Sequence, residues 1–421
     1  MKKAILLTLA LIRSSWAFQL PSIRLLKIAN NPFTRCSLRR HSRSINIHGR
    51  IVAYDRIPKE IQSLVDSLEA VKSLPRIREN KSFEDFNGLA VVDPKTKPTF
   101  RRLFTHETWK LHAGGSTFRR WLRCMAATPS SVILRAVAKT VGFLSIWSAF
   151  AAYFAPKLFS SALRSQISDQ SLPLSLCGNA IGLLLVFRTN EAYKRLEEAR
   201  ELMEKVVHHS GEIVSYLGSA WEPHNQDDPQ SVKTSTMALV GRYLAAFAWS
   251  LRDELRDGDT RDDVLNTLLP KEEAKWVSNQ RSRALAIHGQ LRRLIFKEWK
   301  SGRFPDQQHF HAEVQLNLLS SAAATCERIF TSPIPPTMSR HGLRSMTLLM
   351  LTLPVALSFA VPPIVNIGWT AAIGFIYLGI DELGVQVEQP FRLIPMWQLC
   401  QLVQEDIMEF SLHPLELHAA E

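Results

Sequence analysis

Leu172-Pro173-Leu174-Ser175-Leu176-Cys177-Gly178-Asn179-Ala180-Ile181-Gly182-Leu183-Leu184-Leu185-Val186-Phe187 runs without interruption into Arg188-Thr189-Asn190-Glu191-Ala192-Tyr193-Lys194-Arg195-Leu196-Glu197-Glu198-Ala199-Arg200. The first half is apolar apart from Ser175 and Asn179, and the second is densely charged. From Leu183 to Ser210 there are 28 residues without Gly or Pro. Helix formers dominate them, so one continuous helix is expected to pass from an apolar environment into a polar one. Beyond the boundary, Leu196, Ala199, Met203 and Val206 recur at steps of three and four and predict a buried stripe. Glu191 with Arg195, Lys194 with Glu198 and Glu201 with Lys205 stand four apart and are placed to pair. Within the apolar half, Asn179, Leu183 and Phe187 are also spaced by four and form one line along the helix. Such a line is ordinary packing in most helices. Repeated by several copies around an axis, it becomes a stack of narrow rings that exclude water, and the positive edge of a phenylalanine ring suits a partly dehydrated anion. Gly178 and Gly182 would let neighbouring helices come close.

Outward from this stretch lie three more apolar segments: Val132 to Ala155, Leu343 to Val365 with Pro354, Pro362 and Pro363 inside it, and Asn366 to about Leu378. The expected fold is an all-α membrane protein with four transmembrane helices and an extramembrane helical layer. The expected boundaries are a presequence at 1–50, a basic amphipathic region at 51–130, two spans at 131–189, the helical layer at 190–338, two spans at 339–382 and an extramembrane tail at 383–421. Arg101, Arg102, Lys110, Arg119, Arg120 and Arg123 precede the first span, and Arg340 and Arg344 the third, which places the layer on the cytoplasm-like face. The first of these clusters alternates with Phe100, Trp109, Phe118 and Trp121, as an element lying on a membrane surface would, although a solvated basic loop reads the same way. Helical patterns at Met237–Arg256, Glu272–Lys300 and Gln307–Ile329 fill the layer, and no strand-rich region emerges.

The net charge of +12 sits almost wholly at the amino end. Met1 to Tyr54 carries ten Lys or Arg and no acid. Lys2-Lys3, an apolar run to Ile12 and Ser14-Ser15-Trp16-Ala17 form a secretory-type signal, too short to span a bilayer. The basic, hydroxylated stretch after it reads as a transit peptide. The junction Trp16-Ala17-Phe18 resembles the bipartite plastid presequence of algae with secondary plastids. A thylakoid or other plastid membrane is therefore the expected location and no nucleic-acid partner is expected, while an ordinary secretory signal with a basic arm, a nucleic-acid-binding tail and a plasma-membrane location are the other readings.

Five scattered cysteines without a CxxC pair make a disulfide scaffold improbable. His208-His209 and His309-x-His311 do not share a helical face and read as solvated residues instead of metal ligands. No GxSxG, HExxH or P-loop is present, so nothing suggests an enzyme.

Leu184 to Arg200 resembles the signature of the bestrophin family. Two later segments resemble it in the same order: Ile334-Pro335-Pro336-Thr337-Met338-Ser339-Arg340-His341, and Gly379-Ile380-Asp381-Glu382-Leu383-Gly384-Val385-Gln386-Val387-Glu388-Gln389-Pro390-Phe391. The likeness spans about residues 100 to 405 and is greatest to the thylakoid chloride-channel branch. It implies a homopentameric anion channel whose second helices surround a hydrophobic neck, with the three neck rings falling on Asn179, Leu183 and Phe187. Asn179 departs from the apolar residue usual at the first ring.

The resemblance further implies that Asn190, Tyr193, Asp381, Glu382, Glu388 and Pro390 pack the motif and orient neighbouring subunits. Arg188 and Arg195 either attract anions or pair with Glu191, Glu198 or Asp381. A second constriction is expected within Phe310 to Leu318. The acidic run that binds calcium in animal members is replaced here by Arg392-Leu393-Ile394-Pro395, so no calcium clasp and no cofactor are expected. The expected partners are chloride, bicarbonate, the lipid membrane, further copies of the chain and, for bicarbonate, a thylakoid carbonic anhydrase pathway. A scaffold or receptor without conduction is the competing class, and a membrane-embedded enzyme is a more distant one.

Overall fold

A computed structural model describes residues 44–47, 50–53, 57–74, 116–128, 131–159, 171–219, 230–256 and 261–418. The signal and most of the basic arm, and Arg101 to Lys110, lie outside the described residues. Two short strands, β1 (Ser44–Ile47) and β2 (Arg50–Ala53), pair antiparallel with Ser44 opposite Ala53, a hairpin absent from the sequence expectation. All other described elements are helices: α1 (Lys59–Ser73), α2 (Thr117–Ala127), α3 (Val132–Leu158), α4 (Ser171–Ser219), α5 (Gln230–Leu255), α6 (Asp262–Leu268), α7 (Lys271–Ser278), α8 (Arg283–Lys300), α9 (Asp306–Thr331), α10 (Pro336–Ala360), α11 (Pro363–Glu388), α12 (Pro390–Leu393) and α13 (Met396–His418).

Three helical stretches among the described residues are long and apolar enough to cross a membrane. They are Ile133–Leu158, the apolar part of Asp306–Ala360 and Pro363–Glu388. With the first half of α4 they form one packed group, α3 lying against α10 and α11, and α4 against the same two helices. Its small core is Leu144, Ile181, Leu185, Met346, Leu349 and Met350.

The apolar run expected to end at Val365 is divided earlier. α10 stops at Ala360, and Pro362 caps α11, because a proline lacks the N–H a helix interior needs but fits the first turn. As a result α11 runs to Glu388, six residues past the expected boundary at 382, and carries the Asp381 to Glu388 motif inside the helix. Pro354 stays within α10 and is braced from outside: Asn366 Nδ2 donates to its carbonyl at 2.9 Å, and Trp147 Nε1 donates to the Leu351 carbonyl at 3.0 Å. Ser148 and Thr370 in turn donate to Asn366 Oδ1 at 3.1 and 3.3 Å, and all three side chains are buried. A polar group away from water needs such partners, so this network ties α3, α10 and α11 together.

α4 is 49 residues long, about 73 Å at the rise of an α-helix, far more than the roughly 30 Å of a hydrocarbon core. Its second half enters the extramembrane layer, where Ala199, Met203 and Val206 are buried as their spacing predicts and Leu196 packs at the edge. α5 is the central helix of that layer, with Leu244, Phe247 and Trp249 buried, and α13 closes over both. Within the region expected at 51–130, α1 turns the apolar face formed by Ile61, Leu64, Val65, Leu68 and Val71 into the same core. In α2, Phe118, Trp121, Leu122 and Met125 are exposed beside Arg119 and Arg120. The pattern read as one helix over Glu272–Lys300 is two, α7 and α8, separated at Asn279 to Ser282.

Candidate functional site

Asn179, Leu183 and Phe187 lie along one outward face of α4, the two apolar ones 56% and 57% exposed in the single chain. The opposite face carries the buried Ile181 and Leu185. The neck line is therefore not core packing within the chain. Gly178 and Gly182 turn toward α11: the Tyr377 hydroxyl donates to the Gly178 carbonyl at 3.1 Å, and a Cβ on Gly178 would stand 3.5 Å from that oxygen. Their smallness serves contact with the chain's own fourth apolar helix.

Arg188 follows Phe187 but points away from the line. Its guanidinium meets Asp381, and Glu388 lies 3.8 Å from its second nitrogen, with the three side chains only 12%, 14% and 20% exposed. A cation screened from water and shared by two carboxylates cannot also present its charge to passing anions. Asp381 and Glu388 thus join α11 to α4 within one chain, where the expectation had them orienting neighbouring subunits. Glu382 bonds Gln386 one turn on at 2.9 Å. Pro390 starts α12 and is buried beside Phe391.

Arg195 pairs with none of Glu191, Glu198 or Asp381. It donates to the carbonyls of Ser332 and Ile329 at 2.7 and 2.6 Å, capping the C-terminal end of α9 where carbonyls lack helical partners and the dipole is negative. Glu198 is taken by Arg328 at 2.7 Å, Lys194 pairs with Glu191 at 2.9 Å, and of the pairs expected four apart Glu201 with Lys205 forms, at 2.8 Å. Asn190 and Tyr193 remain exposed.

Further along, α9 runs antiparallel to α4 and exposes Phe310, Val314 and Leu318, the stretch expected to hold a second constriction. Of the histidines expected to be solvated, His208 and His311 are exposed, His309 is half-buried and His209 departs from the expectation. His209 is buried and its Nδ1 lies 2.7 Å from Gln315 Oε1, while His311 stacks on Tyr216 and His309 on Trp299. Burial holds His209 and His288 below the ordinary histidine value. Among the described residues no group of three or more His, Cys, Asp or Glu is placed to hold a metal, and Cys177, Cys326 and Cys400 stand outside any disulfide. Sequence reasoning missed Tyr377 and the Ser148–Asn366–Thr370 network. Asn366 was visible as a polar residue in an apolar run, whereas nothing marked Tyr377.

Residues 115–409, more than half of the chain, match the family model described as bacterial and fungal bestrophin protein. The chain belongs to the bestrophin family. Two chloroplastic voltage-dependent chloride channels of Arabidopsis thaliana are similar to this bestrophin, one at 27% identity over 73% of each chain and the other at 26% over 72% of this chain and 71% of theirs. A voltage-dependent anion channel-forming protein of Synechocystis is 27% identical over 56% of this chain and 75% of its own. Among solved structures, a point mutant of a bacterial bestrophin homologue from Klebsiella pneumoniae superposes with a TM-score of 0.56 at 22% identity, covering 64% of this chain and 98% of that one. This likeness in backbone establishes the fold.

Proposed function

We propose that this bestrophin is a passive anion channel, conducting chloride, bicarbonate or both, and that Asn179, Leu183 and Phe187 line its neck. The observation that carries the reading is the outward apolar line on α4, unclaimed by the chain's own core and continuous with a charged helix. In a homopentamer with four spans per subunit the line becomes three stacked rings, narrow enough to strip water and edged by Phe187. The names of the plant and cyanobacterial relatives support anion conduction, and the chloroplastic ones support a plastid membrane. The presequence pattern supports import, and the thylakoid is the proposed membrane. There the channel would relax membrane voltage by moving chloride, or feed bicarbonate toward a carbonic anhydrase that releases carbon dioxide. No calcium clasp enters this mechanism.

Reconstitution tests it. Purified protein in liposomes is expected to pass anion current, with the reversal potential in chloride against bicarbonate ranking the two ions. A Leu183→Ala, Phe187→Ala double variant should assemble normally while changing conductance by about threefold or more, since the rings set the width of the barrier. A silent wild-type protein favours the scaffold reading, and unchanged currents in the double variant remove the neck from this face.

A further inference from the structure

Three cations follow Phe187 within eight residues of α4, and two of them are occupied inside the chain: Arg188 by Asp381 and Glu388, Arg195 by the last carbonyls of α9. The third is Lys194. Its side chain is 70% exposed, and its partner Glu191, 60% exposed, makes a surface pair of the kind that holds little energy in water. At about 100° per residue, Lys194 lies roughly 20° from Leu183 around the helix, whereas Arg188 and Arg195 lie about 120° to 140° away. Lys194 thus stands on the same line as the neck residues, two turns beyond Phe187. One turn further, and about 40° to the other side of Leu183, comes Glu197, which is exposed and without an ion partner among the described residues. The next carboxylate on that line, Glu201, is held by Lys205.

We infer that Lys194 is the residue that collects anions at the extramembrane mouth of the neck, and that Glu197 opposes it. The inference rests on the proposed arrangement of α4 faces around a shared axis. Repeated around that axis, each residue contributes a ring of like charge at the opening of a low-dielectric passage, where field lines are focused and local ion concentration follows the sign of the ring. The two rings act in opposite directions, and salt screens both, because the Debye length shrinks from about 10 Å at 0.1 M to about 3 Å at 1 M.

Single-channel recordings of Lys194→Gln and Glu197→Gln in planar bilayers, at low and at molar KCl, test this. At low salt, K194Q should reduce chloride conductance roughly threefold and lower the chloride-to-potassium permeability ratio, while E197Q should raise both. At molar salt both should approach wild type, and Lys194→Arg should match wild type throughout. A general defect in folding would move both variants downward at every salt concentration, so parallel losses overturn the assignment, as does K194Q indistinguishable from wild type at low salt. Should K194Q not assemble, E197Q decides alone, and a conductance that fails to rise at low salt sinks the inference. A silent wild-type protein removes the channel reading itself, whereas a conducting wild type with indifferent variants removes only the role given to Lys194.

Discussion

Asp406 on α13 has its carboxyl beside Glu405 and Glu409, where α13 packs on Gly211 of α4. Burial, and then the two neighbouring carboxylates, push it from 3.8 up to about 6. Glu405 is partly offset by Lys72 of α1 at 3.2 Å. Between these two values the folded chain holds a proton that the unfolded chain has released, so stability falls as pH rises through the window and stays lowered above it. Asp406→Asn removes that cost. It should raise the Tm of the detergent-solubilised protein by roughly 2 °C or more at pH 8 and converge with wild type near pH 4. Partial exposure of the group keeps the effect modest. An equal shift at both pH values would show that the carboxylate's charge is not the cause. At this same scale the sequence was informative where spacing alone decides. The line of Asn179, Leu183 and Phe187 follows from helical periodicity whatever surrounds it, and Asp381 was one of the partners named for Arg188. Glu388 was not, because its contact requires α11 to continue as a helix through Gly379 and Gly384, which local propensity argues against.

Between elements, the division of the third and fourth apolar helices depends on Asn366. Its amide spans two helices, donating to the Pro354 carbonyl and accepting from Ser148 and Thr370. Asn366→Ala leaves these buried groups without their partner. It should cost about 2 kcal/mol in chemical denaturation, the range for stranding a buried polar group. A neutral result would mean that water or backbone bonds replace the amide. A hydropathy reading ran α10 to Val365 because the side chains on both sides of Pro362 are apolar. Only the missing donors of Pro362 and Pro363 mark the break, and prolines inside membrane helices are common enough to hide it. α1 escaped for a different reason. Its apolar spacing is regular, but its burial depends on Gly241 of α5, where a Cβ would meet Ile407 at 2.9 Å and Leu64 at 3.0 Å. That close approach is tertiary and leaves no local trace.

Across the whole molecule, one face of α4 begins apolar at Leu183 and Phe187 and ends charged at Lys194, Glu197 and Glu201, with two turns of the same helix, bearing Asn190, between them. The charged end lies in the extramembrane layer, and a line packed within the chain would be covered. A narrow aqueous axis shared by several copies accommodates both. The outward residues of α3 and α11, among them Ile146 at 72% exposure and Ile364 at 81%, belong to faces that are apolar along the middle of each helix and suit lipid, with Arg135, Lys139 and Lys157 toward the ends of α3 and Glu382 toward the end of α11. Cysteine accessibility separates the two environments. In a background with Cys177 replaced, Leu183→Cys should react in the membrane with a small anionic thiol reagent and lose chloride current as it does so. Ile146→Cys and Ile364→Cys should stay unmodified by that reagent and react with a membrane-soluble maleimide. In the proposed pentamer position 183 stands close to the axis, so oxidation should also link L183C chains in pairs and leave the other two monomeric. Lipid-like labelling at position 183, or linkage at Ile364→Cys instead, would turn α4 outward and place the conduction path on another face.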